Sequence, residues 1–160
     1  MSDSLVSVLK TSVDELRQNG SKWEFKVGGK YVQEATIVAS LYCKLLERGV
    51  SDRTIRVDSR GHDLGVYDTA GKLRLVVEFK RLTRGKAFRD YVQGGTLHPG
   101  KGFLKDIGKL LKEQAAEKAF VVFDPEGLLA RNTWKRSNVT WKDKLEEECK
   151  KADIPMFVIP

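Results

Sequence analysis

The chain carries only two cysteines and two histidines in 160 residues, and no group of them has the spacing of zinc ligands. Cys43 and Cys149 lie far apart, each within a segment of helical periodicity, so a disulfide framework is excluded and both are expected as buried free thiols. Long apolar runs are missing as well. Nothing approaches the roughly 20 residues of a membrane helix, which excludes a membrane partner of that kind. Met1-Ser2-Asp3-Ser4 leads into no basic segment and apolar block, so no signal peptide is expected and the cytoplasm is the expected compartment. The sequon Asn138-Val139-Thr140 carries little weight in that setting. No internal repeat or low-complexity linker interrupts the chain, and residues 1–160 are expected to form one domain with a real core.

What is present is an ordinary globular balance, 41% apolar and 32% charged, with a net charge of +7. A basic surface attracts polyanions and speeds their capture, nucleic acid being the commonest such partner. Residues 4–18 place Leu5, Val6, Leu9, Val13 and Leu16 at helical spacing. Trp23 to Val27 alternates as a short strand closed by Gly28-Gly29, and a helix is expected from about Lys30 to Arg48, ending at Gly49. Its apolar stripe is Ile37, Val38, Leu41 and Leu45, with Glu34 on the same stripe one turn earlier. Thr54 to Asp58 alternates as a strand with Ile55 and Val57 on one face. Asp63–Asp68 and Leu73–Lys80 read as a β-hairpin around Asp68-Thr69-Ala70-Gly71. Leu73, Leu75, Val77 and Phe79 share one face of its second strand, and Val76, Glu78 and Lys80 the other.

Residues 81–102 are basic, with five glycines and one proline, and read as the least ordered part. Helical spacing resumes with Phe103, Leu104, Ile107, Leu110 and Leu111. Ala119–Phe123 is a continuous apolar run, expected as a strand buried on both faces. Thr140–Lys151 reads as a helix with Trp141, Leu145 and Cys149 inward, and Pro155–Pro160 as a last strand. The order predicts an α/β fold, a mixed central β-sheet flanked by helices.

Hydrolysing a phosphodiester requires charge to be neutralised on the phosphate and a deprotonated water to be presented in line. Carboxylates holding magnesium supply both. Asp63 and Glu78 are suitable ligands, with the backbone carbonyl of Phe79 as a third, and Lys80 leaves the strand on the face of Glu78, where its ammonium can orient the attacking water. Glu34, a carboxylate on an apolar stripe, is costly to bury without a cation and points toward the hairpin if this helix packs there. The register of the hairpin decides whether the acids meet. A three-residue loop, Thr69–Gly71, pairs Asp63 with Val77, whereas a four-residue loop or a bulge near Asp63 pairs it with Glu78. Asp58 is a backup ligand, and His62 is expected in an exposed turn.

A basic stretch begins directly after Lys80: Arg81, Arg84, Lys86, Arg89, Lys101, Lys105, Lys109 and Lys112, suited to phosphate contacts without sequence readout. A second basic–aromatic patch, Arg131, Trp134, Lys135, Arg136 and Lys142, either stacks a base or is a solvated face with Trp134 packed beneath it. Gly95-Thr96-Leu97-His98-Pro99-Gly100-Lys101-Gly102 comes close to a nucleotide-binding P-loop, but Gly102 stands where the metal-reaching Ser or Thr belongs.

The string Asp63-Leu64-Gly65-Val66-Tyr67-Asp68, a turn with Gly71-Lys72, then Leu75-Val76-Val77-Glu78-Phe79-Lys80 resembles the PD-(D/E)XK nuclease superfamily over roughly residues 30–124. That resemblance implies a restriction-endonuclease-like core and magnesium-dependent endonuclease activity (manganese as a substitute), with catalytic roles for Glu34, Asp63, Glu78 and Lys80. It implies nucleic acid as partner, DNA before RNA, and a homodimer where both strands are cut. His62 stands in the place of the family's proline, and the glutamine-and-tyrosine helix motif of one branch is absent, Tyr91 and Gln93 occurring in reverse order. The rival expectations are a non-catalytic nucleic-acid-binding protein on the same fold and an RNA-cleaving, toxin-like nuclease.

Overall fold

The computed structural model describes residues 4–18, 26–27, 30–31, 34–59, 61–97, 100–134 and 137–160, without the side chains of 26–27, 30–31, 58–59 and 94–97. Among the described residues six helices and seven strands follow in the order α1 (Leu5–Gln18), β1 (Lys26–Val27), β2 (Lys30–Tyr31), α2 (Glu34–Glu47), β3 (Ile55–Ser59), β4 (His62–Tyr67), β5 (Leu73–Arg81), α3 (Lys86–Leu97), α4 (Gly102–Lys112), β6 (Glu117–Phe123), α5 (Leu128–Arg131), α6 (Trp141–Lys151) and β7 (Met156–Ile159). Strands β3 to β7 form one mixed sheet in sequence order, antiparallel from β3 to β5 and parallel from β5 to β7. The expected α/β architecture holds. The antiparallel half needs only tight turns, and the parallel half needs the helical crossovers α3–α4 and α5–α6.

Alternation along β5 and β6 sends side chains to two cores. Leu75, Val77, Phe79, Ala119, Val121 and Phe123 pack against α1 and α2, whereas Val76, Phe120 and Val122 pack against α3, α4 and α6. Strand β6 is buried on both faces, as its unbroken apolar run predicts. Helix α6 starts on a capping box in which the Thr140 hydroxyl accepts from the Asp143 amide and Asp143 accepts from Thr140. Thr140→Ala is expected to cost about 1 kcal/mol in urea unfolding; an unchanged midpoint would show that the box adds nothing to the packing of Trp141.

Four local readings are corrected. The basic stretch 81–102 contains a helix, α3, because Phe88 and Val92 sit one turn apart on a buried stripe despite the glycines around them. Helix α2 starts at Glu34 and not at Lys30, since Lys30–Tyr31 pairs with Lys26–Val27. Cys43 is exposed, being on the side of α2 away from the Leu41–Leu45 stripe, and only Cys149 is buried. Leu73 packs against the second core and not with Leu75, because β5 carries an extra residue, Arg74, in a bulge opposite Val66/Tyr67. Of the expected features, Trp23–Phe25, Gly28-Gly29, the Asp58 side chain, His98-Pro99, Lys135 and Arg136 lie outside the described residues.

Candidate functional site

The bulge settles the hairpin register. Asp68 and Lys72 close a three-residue loop, the Asp68 amide donating to the Lys72 carbonyl at 2.9 Å, and Gly71 turns the corner at φ 78°. The Asp68 carboxylate accepts from the amides of Ala70 and Lys72, which locks the turn. Beyond the bulge Leu64 pairs with Val77, the register that would set Asp63 opposite Glu78, but the ladder ends there and the two side chains turn to opposite sides of the sheet. The compensating bulge lies at the turn end of the hairpin, not near Asp63.

The ladder between β4 and β5 stops at Leu64–Val77, while β5 stays paired to β6 as far as Arg81. The β4-facing edge of β5 is therefore open from Phe79 onward. Two carboxylates take the place of the missing strand. Asp63 accepts from the Phe79 amide at 2.6 Å, and Glu34, at the start of α2, accepts from the Arg81 amide at 2.8 Å. Glu34 thus does reach the hairpin, from a different element than the other acids. In a strand the N–H and C=O of one residue leave the same edge, so the Phe79 carbonyl opens into this gap as well.

Asp63 lines a pocket of about 370 Å3 with Glu34, Ala35, Val38, Ala39, Tyr42 and Val57, on the α2 side of the sheet. Burial, with the negative charge of Glu78 and Glu34 behind it, pushes the Asp63 carboxyl up to about 6, although the Phe79 amide and Lys109 pull the other way. Glu78 is buried on the α4 side. Lys109 donates to its Oε1 at 2.7 Å, and His62 Nδ1 lies 3.0 Å from its Oε2. His62 is itself buried, 5% exposed, with Nε2 3.0 Å from Glu113, and not in an exposed turn. A hydrogen bond to Glu78 raises the Lys109 ammonium, with Asp106 and Asp63 adding to it against a desolvation penalty.

Lys80 shares the α3–α4 face with Glu78, but its ammonium sits 5.1 Å from the centre of the Tyr91 ring. Tyr91 donates its hydroxyl to Asp106 at 2.9 Å, and burial pushes the phenol well up, Asp106 adding to the shift. Asp106 is raised chiefly by burial and lies 3.8 Å from Lys109. The lysine that touches Glu78 is thus Lys109, expected only as a phosphate contact, while Lys80 faces the neighbouring aromatic wall. His62, Asp106 and Glu113 were missed. Asp106 within α4 and Glu113 at its C-cap stand three residues before and four after Lys109 in an otherwise basic segment, the one signal that marks them.

Of the other basic residues, Arg84, Lys86, Arg89, Lys101, Lys105 and Lys112 are exposed around α3 and α4, Arg84 in an ion pair with Glu126, and Arg81 is half-buried. The Lys144 ammonium lies 5.4 Å from the Trp134 ring, which packs against the second core, the solvated-face alternative for that patch. The glycine-rich run is the end of α3 up to Leu97, not a loop leaving a buried strand, so it lacks the setting of a P-loop.

The donor set, two carboxylates and a carbonyl with a third carboxylate nearby, is the hard-oxygen chemistry that magnesium takes. Burial and the nearby negative charge that raise Asp63 are what a cation would offset. Among the described residues no three His, Cys, Asp or Glu side chains already stand around an ion-sized gap, and each acid is held by a protein donor instead. Among them, too, no helix is long and apolar enough to cross a membrane. No family model matches this chain, and no curated protein matches it.

Proposed function

We propose that this chain is a magnesium-dependent nuclease on a restriction-endonuclease-like core, cutting phosphodiester bonds in nucleic acid with DNA as the default substrate. The observation that carries the reading is the opened edge of β5, where Asp63 and Glu34 cap the amides of Phe79 and Arg81 next to buried Glu78. Structural ion pairs alone do not explain why three carboxylates converge where a strand edge has been left open, since like charges repel at such a site.

Asp63, Glu78 and the Phe79 carbonyl would hold the ion. Magnesium bound there supplies positive charge to the phosphate and acidifies water. Lys109 neutralises Glu78 in the free protein and is placed to pass to a phosphate oxygen when substrate arrives. Lys80, held over Tyr91, keeps an ammonium at the mouth of the site, where it stabilises charge on the attacking oxygen. Glu34 fixes the Arg81 backbone and adds negative charge behind Asp63. Cutting both strands of a duplex would call for two copies, one site cutting one strand at a time.

The test is a cleavage panel of supercoiled plasmid, single-stranded DNA, branched DNA and transfer RNA. Cleavage in magnesium that stops in a chelator is the expected result, and the substrate cut decides between DNA and RNA. Binding to the panel with no cleavage in magnesium or manganese would replace this reading with that of a non-catalytic binding protein.

A further inference from the structure

A cavity of about 410 Å3 lies next to the carboxylates, between the end of β5, α3 and the start of α4. Its walls include the cations Lys80, Arg81 and Lys101 against one carboxylate, Asp90, and the rings of Phe88 and Tyr91. We propose that this cavity takes one unpaired nucleotide, which makes single-stranded or locally melted nucleic acid the substrate class; the proposal rests on the nuclease reading of the adjoining site.

Several features fit such a guest. The charge balance of the lining favours an anion. Arg81 joins the lining where β5 ends, its backbone fixed from the other side by Glu34. Tyr91 and Phe88 add aromatic wall of the kind on which bases stack without regard to sequence. Helix α4 begins at this wall, and its N-cap residue, Lys101, makes no side-chain cap, which adds free amides to the cationic side. The size lies within the roughly 300–1,000 Å3 of small-ligand sites. A base inside a duplex cannot enter such a recess unless it leaves its stack, so a paired strand could use only the rim. Lys80 belongs both to this cavity and to the face of Glu78, which puts the guest nucleotide directly beside the scissile phosphate.

The test measures binding without metal and cleavage with it. Fluorescence anisotropy in a chelator compares a short single-stranded DNA, its RNA counterpart and the blunt duplex. Both single strands are expected to bind at least about tenfold more tightly than the duplex. Ala87→Trp, an exposed position of α3 whose new side chain fills the cavity, is expected to cut single-strand affinity about tenfold and leave duplex affinity unchanged. Lys101→Glu, on the opposite wall, checks the same loss should the tryptophan impair folding. Equal affinity for strand and duplex, or indifference of single-strand binding to both variants, would overturn the assignment. Single strands bound but never cut would instead strike at the nuclease reading, so the two failures are separable.

Discussion

Asp63→Asn is expected to abolish cleavage and, at neutral pH, to make the protein more stable. Charge stabilisation by a held metal is worth several kcal/mol, and about 4 kcal/mol corresponds to a thousandfold in rate. The amide keeps an oxygen to accept from the Phe79 amide, so the backbone contact survives while the negative charge goes. The stability sign follows from the raised carboxyl. An unfolded aspartate ionises near pH 3.9, the folded one at about 6, so between these values the unfolded state releases its proton first and the fold loses stability as pH rises. Above about pH 6 the loss is complete, and below about pH 4 it is absent. The full difference amounts to about 3 kcal/mol, and partial exposure of the group screens this to about 1 kcal/mol. Urea unfolding of both proteins at pH 4 and pH 7.5 checks it: the variant should gain at pH 7.5 only. Equal stability at both values would mean that burial and the neighbouring charges do not disfavour the Asp63 carboxylate. Millimolar magnesium should stabilise the wild type and not the variant, because only the carboxylate offers the ion a charged ligand.

Lys109→Met carries the second large effect. Glu78 is 4% exposed and Lys109 is its direct cationic partner. Removing one member of a buried pair leaves an uncompensated charge, at about 3–5 kcal/mol when both are fully buried. The lysine side chain is 38% exposed, which reduces the expected loss to about 2 kcal/mol in a chelator. The distinguishing outcome is rescue. If Glu78 is a metal ligand, magnesium or calcium replaces the missing ammonium and narrows the gap to wild type. A loss of the same size with and without the ion would mark Glu78 and Lys109 as a structural pair and weaken the nuclease reading.

These two residues also show what could be read from the sequence and what could not. The acids Asp63 and Glu78, the hairpin and the twofold-buried strand at Ala119–Phe123 announce themselves by local alternation, and Glu34 by its place on an apolar stripe. Each is a property of a few neighbouring residues. The bond from Lys109 to Glu78 joins α4 to β5 across a packing interface, and periodicity says only that Lys109 is polar and in a helix. His62 failed for another reason. Flanked by Gly61 it reads as turn, but pairing with Ser59 on β3 draws it into the sheet, where Glu78 and Glu113 receive it. The helix α3 was hidden by its glycines, since propensity is a weak guide where a buried Phe88–Val92 stripe anchors the segment.

The hairpin also sets a rule of parity. Its loop has an odd number of residues, and the extra residue at Arg74 is a second odd count that cancels the first. Leu64 stands opposite Val77 only because the two add to an even shift. A single insertion or deletion inside either strand exchanges the buried and exposed sides of the residues beyond it unless another bulge absorbs it, whereas a residue added to the loop only lengthens the turn. The strands of this hairpin are therefore held to a count, while the turn that joins them is free to vary.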